Sequence, residues 1–139
     1  IDGPIDAHNI NFADSHFDAV VAVEVFEHLK DPSKAASEVY RVLKVNGVAV
    51  VSVPFMFRIH GDPNDYNRFT SQGLQVLFSK FKSVQIIPFG SRIHVICDII
   101  STQSKALVFF RAINHLLCLP FLNAPSLDCP SGYIVILIK

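Results

Sequence analysis

The stretch FDAVVAVEVFEHLKDPSKAASEVYRVLKVNGVAVVSVP, residues 17–54, decides the fold of this chain. It opens with a valine-rich run, Phe17 to Val25, whose polar borders predict a strand buried on both faces of a parallel sheet. It closes with a second apolar run, GVAVVSVP at residues 47–54, which predicts another buried strand. The residues between the two runs then form the crossover of a strand–helix–strand unit, and such crossovers are right-handed.

The crossover carries the signals of an α-helix. Asp31 supplies an N-cap side chain, and Pro32 fills the first helical position, where its missing N–H removes no hydrogen bond. The apolar residues that follow recur at helical spacing and predict one buried stripe: Ala35, Val39, Val42 and Leu43. Glu38 lies off this stripe and can pair with Arg41 or stay solvated. Asn46-Gly47 supplies the left-handed residue that commonly ends a helix.

The alternation of strand and helix continues downstream. Thr70 or Ser71 can cap a short helix, and the run SVQIIPF at residues 83–89 predicts a third strand. Residues 91–123 are apolar but interrupted by charges, which indicates one or two helices. The run GYIVILIK at residues 132–139 predicts the last strand.

Composition limits the class of protein. The 139 residues are 50% hydrophobic and 17% charged, which fits a single domain over the whole chain. Twelve basic residues balance twelve acidic ones, so nothing in the net charge indicates nucleic acid as a partner. Three cysteines without a CxxC pair favour a reducing, cytoplasmic location. Residues 107–122 are too short and too polar to span a bilayer, and an ordinary core helix or a surface helix fits them better.

Taken together, the motifs of residues 17–54 resemble the class I S-adenosylmethionine-dependent methyltransferases, specifically the type 11 group. In that family a strand beginning Phe-Asp is followed by Glu-His, a helix ending Arg-Val-Leu-Lys, a glycine turn and another strand. Asp6-Ala7 and the stretch HGDPNDYNRFTSQGLQVLF at residues 60–78 extend the resemblance. It implies an α/β fold with a Rossmann-like half-sheet, mostly parallel with an antiparallel C-terminal strand, and a helical insertion near residues 91–123.

The resemblance also implies S-adenosylmethionine as cofactor, bound at the carboxyl ends of the strands. Asp6 would accept a hydrogen bond from the adenine amino group, and the N–H of Ala7 would meet the ring. Val23 would line the methionine end, and Glu24 would place a carboxylate near the cationic sulfonium. The alternatives are structural, since Asp6 can be a turn-forming residue and Glu24 a solvated charge at a strand end.

His28, His60 and Tyr66 are the candidate catalytic residues. An imidazole or a phenol can orient or deprotonate the nucleophile that receives a methyl group. His28 can instead cap or pack locally. Because methyl transfer is an in-line displacement, much of the acceleration can come from positioning, so the absence of an obvious base does not argue against the reaction.

The charged neighbours of these candidates have more than one interpretation. Glu24, Glu27 and His28 keep a Glu-x-x-Glu-His spacing through which some relatives are thought to bind a divalent ion, but we assign no metal ligand from the sequence. Asp65 and Arg68 lie three residues apart, and we interpret them as an ion pair that shapes the loop.

The family's glycine-rich first strand and turn have no counterpart before Ile1, so we expect an N-terminally truncated, C-terminal portion of the domain. The strand Phe17–Glu24 would then have an open backbone edge. We expect self-association into a homo-oligomer, or a rearrangement of residues 1–16, to cover that edge.

Three functional hypotheses follow. The first is methyl transfer to a small-molecule or glycan-like acceptor. The second is a non-catalytic interaction module that uses the apolar segment from Val95 to Leu122. The third is a small-ligand binder of unrelated activity, since fold does not dictate function.

Overall fold

A computed structural model describes residues 3, 5–61, 64–102, 116 and 126–139 of the chain. Within them lie four strands, three α-helices and one short 3-10 helix. In chain order these are β1 (Phe17–Val23), the 3-10 helix (Phe26–His28), α1 (Pro32–Val42), β2 (Leu43–Pro54), α2 (Ser71–Leu77), β3 (Ser83–Phe89), α3 (Arg92–Thr102) and β4 (Gly132–Ile138).

The four strands form one sheet in the order β1-β2-β4-β3. β1 and β2 are parallel, whereas β4 runs antiparallel to both of its neighbours, β2 and β3. Three strands therefore point the same way and the C-terminal strand points the other way, which confirms the predicted α/β half-sheet. Because β4 inserts between β2 and β3, β1 and β2 form the one hydrogen-bonded parallel pair of the described sheet.

The helices begin where the capping residues predict. The Asp31 carboxylate accepts a hydrogen bond from the Lys34 N–H at 3.0 Å and starts α1. The Thr70 hydroxyl accepts from the Gly73 N–H at 3.1 Å and starts α2 in the same way. Each bond satisfies one of the backbone donors that a helix N-terminus leaves without a partner.

The hydrophobic core lies between one face of the sheet and the helices α1 and α2. The predicted apolar stripe is buried there, although its last residue, Leu43, is the first residue of β2, and alternate residues of the central strands β2 and β4 pack with it. The core residues of those two strands are Ala49, Val51, Val53, Tyr133, Val135 and Leu137. Phe26 and Phe78 are nearly or fully buried, and their rings meet edge to face with centroids 5.4 Å apart. The core thus packs directly against the 3-10 helix that follows β1.

β1 is not buried on both faces, and this prediction was wrong. Val20 and Ala22 pack against the core, but Val21 is 69% exposed and Val23 is 61% exposed on the opposite face. The cause is that the core packs on one face of the sheet, and that on the other face β1, at the edge, has β2 as its one neighbour among the described strands. The open edge expected from the sequence is therefore present in the described residues.

Residues 5–16 do not cover this edge in the described structure. They lie along α1 instead, where the N–H of Ser15 donates to the Arg41 carbonyl at 3.0 Å. The Arg41 guanidinium also donates to the carbonyls of Ile10 and Phe12, at 2.7 and 2.8 Å. Its pairing with Glu38, with two N–O distances of 2.8 Å, realises the first of the two predicted alternatives for that carboxylate.

Asn46-Gly47 does not end the helix, so the predicted role of this pair was wrong. α1 ends at Val42, and Asn46 adopts its left-handed conformation, with φ of 63°, inside β2. The pairing of β1 with β2 is irregular at this point. Backbone bonds of 3.1 Å join Asn46 and Gly47 to Lys139 at the end of β4. The left-handed residue therefore serves a bulge in β2.

The helical segment expected over residues 91–123 is described in part. α3 forms its first third, whereas residues 103–115 and 117–125 lie outside the described residues. Most of the segment from Val95 to Leu122, on which the interaction-module hypothesis rests, lies there too. No helix of the described residues is both long and apolar enough to cross a membrane.

Candidate functional site

The carboxyl end of β1 turns sharply out of the sheet at Glu24. Glu24 has a φ of 52°, a left-handed conformation that costs a non-glycine residue about 1–2 kcal/mol. Its N–H donates to the Ser52 carbonyl of β2 at 3.1 Å, and the Ser52 hydroxyl donates to the Glu24 carboxylate at 2.7 Å. These bonds hold the turn, which directs the chain into the 3-10 helix.

Glu27, in that 3-10 helix, is a fully buried carboxylate. Its exposure is 0%, and neither of its oxygens has a hydrogen-bond partner in the described structure. Burial raises the pKa of Glu27 above its ordinary value, and the nearby charge of Glu24 acts in the same direction. A buried carboxylate without donors is costly, which is a common mark of a functional site.

Two histidines converge on Glu27. The distance from Glu27 Oε1 is 3.5 Å to Nε2 of His28 and 3.7 Å to Nε2 of His60. The two imidazole rings lie 5.2 Å apart and nearly perpendicular. The structure thus brings together two of the three predicted catalytic residues. Their side chains are 23% and 27% exposed, so the cluster opens to solvent on the histidine side.

The loop after β2 is folded back onto the 3-10 helix by backbone bonds. The N–H groups of Tyr66 and Asn67 both donate to the Glu27 carbonyl, at 2.7 and 3.1 Å. The Asn67 side-chain amide donates to the Leu29 carbonyl at 2.7 Å, and Nδ1 of His28 lies 2.5 Å from the Asn64 carbonyl oxygen. This docking is what places His60 beside His28.

Asp65 and Arg68 form an ion pair that shapes the loop, as the sequence interpretation held. Nη2 of Arg68 lies 2.6 Å from Oδ2 of Asp65, whose side chain is only 2% exposed. The hydrogen bond from Arg68 lowers the pKa of Asp65 to about 2. The same carboxylate accepts a 3.0 Å bond from the His60 N–H. The pair therefore fixes the position of His60.

Tyr66, the third predicted catalytic residue, is not drawn into the cluster. Its side chain is 46% exposed, and only its backbone N–H contacts Glu27. None of the hydrogen bonds among the described residues uses its hydroxyl group. The Tyr66 phenol is therefore half-exposed on the loop that carries His60.

The predicted cofactor residues Asp6 and Ala7 lie near the start of α1. Oδ1 of Asp6 accepts a hydrogen bond from the His8 N–H at 2.9 Å, so the turn-forming role is present. This bond is the main cause of the lowered pKa of Asp6. The Asp31 N–H donates to Nε2 of His8 at 3.3 Å, which ties the turn to the α1 cap. Ala7 packs partly buried against the core.

Glu27 was noted in the Glu-x-x-Glu-His spacing, but it was not assigned to the site from the sequence. It lies directly before His28 in the Glu-His motif, so a signal was present. Its central position depends on His60, which the loop brings from a distant part of the sequence. Spacing along the chain does not show such an approach.

The N-terminal part of the chain matches a known family. Residues 4–51 match the family described as a methyltransferase domain, and this range contains β1, the 3-10 helix and α1. The demethylmenaquinone methyltransferase of Bacteroides fragilis is 29% identical over 121 residues, which are 81% of this chain and 49% of that protein. The chain thus spans about half the length of the curated relatives it matches.

Solved structures share the fold at lower sequence identity. Phosphoethanolamine N-methyltransferase 2 of Haemonchus contortus, in complex with S-adenosyl-L-methionine, has a TM-score of 0.61 at 15% identity, covering 96% of this chain and 36% of that one. The cyclase SpnF has a TM-score of 0.59 at 17% identity, covering 99% of this chain and 54% of that one. The fold is shared by proteins of different activity, so the fold alone does not fix the reaction.

Proposed function

We propose that the carboxyl end of β1 binds S-adenosylmethionine and serves methyl transfer to a small-molecule or glycan-like acceptor, because residues 4–51 match a methyltransferase domain family and the chain is 29% identical to a methyltransferase over 121 residues. One observation carries the proposal. The family match over residues 4–51 includes the whole strand end, with the exposed turn at Glu24 and the buried Glu27. In α/β sheets of this kind, ligands bind outside the carboxyl ends of the strands.

The described residues on this surface suit the cofactor's chemical groups. Oδ2 of Asp6 has no hydrogen-bond partner among the described residues, and the side chain is 66% exposed, so it is available to the adenine amino group. The N–H of Ala7 is likewise available to a ring nitrogen. The exposed Val23 offers an apolar wall, and Glu24 offers a negative charge near the sulfonium. Once bound, the cofactor supplies an electrophilic methyl group.

His28, His60 and Tyr66 border the surface that would receive the acceptor. The two imidazoles stand at the open side of the cluster, and Tyr66, from the same loop as His60, has a half-exposed phenol. Such groups orient a hydroxyl or amine nucleophile for in-line attack. An acceptor with several hydroxyl groups would have partners here, which is why we include a glycan-like acceptor.

Titration calorimetry with S-adenosylhomocysteine tests the cofactor proposal on the complete polypeptide that carries this chain. We expect saturable binding in the micromolar range. Asp6→Asn should weaken it about tenfold, the equivalent of about 1.4 kcal/mol for one charge-assisted hydrogen bond. Asp18→Asn is the matched control, because Asp18 is an exposed aspartate at the other end of β1. Absence of binding, or equal weakening by both variants, would contradict the proposal.

The open edge of β1 supports a second element of the proposal, a homo-oligomer. Two copies could pair the free backbone edges of their β1 strands, which would place the exposed side chains of Val21 and Val23 against those of the partner strand. Sedimentation equilibrium should give a dimer mass that Val21→Lys reduces to the monomer. Val76→Lys is the control, since Val76 is 74% exposed on α2, and it should leave the dimer intact. A monomeric wild-type protein would refute this element.

We also propose a cytoplasmic location. Its support is the cysteine pattern, since an odd number without a CxxC pair is typical of reducing compartments. Fractionation of cells that express the complete protein would test it, and recovery outside the cytoplasm would contradict it.

A further inference from the structure

We propose that Glu27, His28 and His60 bind a divalent transition-metal ion, with Zn²⁺ as the probe. Each residue offers one ligand atom, and the three atoms lie within 4.8 Å of one another. One carboxylate oxygen and two imidazole nitrogens form a donor set that suits zinc and similar ions better than magnesium or calcium.

The first argument is the isolation of the Glu27 carboxylate. It is fully buried, and neither oxygen accepts a hydrogen bond from the described residues. The two histidine nitrogens that face it lie at 3.5 and 3.7 Å, which is too long for N–H···O hydrogen bonds. A cation between these three groups would satisfy a charge that is otherwise left without a partner in the interior.

The second argument is the geometry of the three ligand atoms. Zinc binds imidazole nitrogen and carboxylate oxygen at roughly 2.0–2.2 Å, so tetrahedral ligands lie roughly 3.4 Å apart. The oxygen–nitrogen distances of 3.5 and 3.7 Å are close to that separation. The three atoms together lie within 4.8 Å of one another, so side-chain rotations that draw the two imidazole nitrogens closer would complete the coordination of one ion.

The third argument is that a hydrogen-bond acceptor lies near Nδ1 of each histidine, on the side of the ring away from Glu27. The Nδ1–H of His28 donates to the Asn64 carbonyl, which leaves its Nε2 as the acceptor that faces Glu27. Nδ1 of His60 lies 3.4 Å from Oδ2 of Asp65, and Arg68 holds that carboxylate in place. A carbonyl or carboxylate behind each ligating imidazole is the usual outer shell of a metal site.

The site also has a path for the ion and an open coordination position. Because His28 and His60 are partly exposed, solvent reaches the cluster from their side. Three protein ligands leave a fourth position for water or for an oxygen of an acceptor. The histidines can thus both hold an ion and border the acceptor surface. Metal binding does not depend on methyl transfer, so either proposal can fail without the other.

Zinc titration of the chelator-treated wild-type chain, without an affinity tag, tests the inference. We expect one ion per chain, bound in the micromolar range or tighter. Co²⁺ should give the strong visible absorption of a four-coordinate ion. His60→Ala removes one of the three ligands, and Glu27→Gln replaces the anionic ligand with a neutral amide, so each should weaken zinc binding by about 100-fold or more. His16→Ala is the matched control, an exposed histidine outside the cluster, and it should bind as the wild type does.

Thermal melting in the presence of chelator shows whether each variant still folds, so that a loss of zinc binding can be distinguished from unfolding. Glu27→Gln removes a buried charge without changing size, so it should melt at or above the wild-type temperature. Zinc should then raise the melting temperature of the wild type and not of this variant. Failure of the wild type to bind zinc, or unchanged binding in the two cluster variants, would overturn the inference.

Discussion

Replacing Arg68 with alanine should lower the free energy of unfolding by about 3–5 kcal/mol, the usual cost of leaving a buried charge without its partner. The Asp65 side chain is 2% exposed, and Arg68 donates to both of its oxygens. Without the guanidinium, the His60 N–H and the histidine ring are the groups of the described residues that remain near that charge. Urea denaturation of the variant and the wild type measures the difference.

Two further variants separate the ion pair from the bulk of the side chains. Asp65→Asn in the Arg68→Ala background should recover part of the loss, because it removes the stranded charge. Arg68→Lys should restore only part of the free energy of unfolding that Arg68→Ala loses, since an ammonium cannot donate to both carboxylate oxygens in the same plane. A loss under about 1 kcal/mol in Arg68→Ala, typical of exposed pairs, would contradict the buried pairing.

The ion pair of Asp65 and Arg68 also predicts how the stability of the chain falls at acidic pH. In the folded chain the pKa of Asp65 is about 2, against an ordinary value of 3.8. The stabilisation is therefore complete above about pH 4 and is lost as the pH falls toward 2. It amounts to about 2 kcal/mol, at about 1.4 kcal/mol for each unit of pKa. In Asp65→Asn this part of the acid destabilisation should be missing.

Replacing Phe26 with alanine should cost about 3–5 kcal/mol of stability. Its side chain is 1% exposed, and its ring packs edge to face on Phe78 of the α2 region, so the substitution leaves a cavity at the centre of the core. Because Phe26 directly precedes Glu27, the zinc affinity of the cluster should fall as well.

Phe26→Leu is the control for this variant. It keeps most of the apolar volume, so its loss should stay below about 1.5 kcal/mol. Urea denaturation measures both, and zinc titration follows the cluster. Equal losses in the alanine and leucine variants would show that the cavity is not the cause.

Local chemistry made the order of elements predictable. The caps at Asp31 and Thr70 set the starts of α1 and α2, and the runs at residues 83–89 and 132–139 became β3 and β4. The position of each strand within the sheet was less predictable, because a valine-rich run fits both a central strand and an edge strand. The exposure of Val21 follows from its place on the face away from the core, in a strand with one neighbour among the described strands, which composition does not reveal.

The candidate site was predictable only in its parts. His28 and His60 were each predicted as single residues. The contacts that bring them together join Asn64, Tyr66 and Asn67 of the loop to the 3-10 helix. Those contacts depend on tertiary packing, and so does the burial of Glu27. A carboxylate beside a histidine in sequence is ordinary, whereas a carboxylate buried between two histidines is not.

The most direct test of the cofactor proposal is an amide-resolved NMR titration of the complete polypeptide with S-adenosylhomocysteine. We expect the largest chemical-shift changes in two places. The first is the carboxyl end of β1, at Val23 and Glu24, and the second is the N-terminal turn, at Asp6 and Ala7. Little change is expected along β3, on the far side of the sheet. The absence of shifts at saturating ligand, or shifts confined to residues away from β1, would contradict the proposed cofactor site.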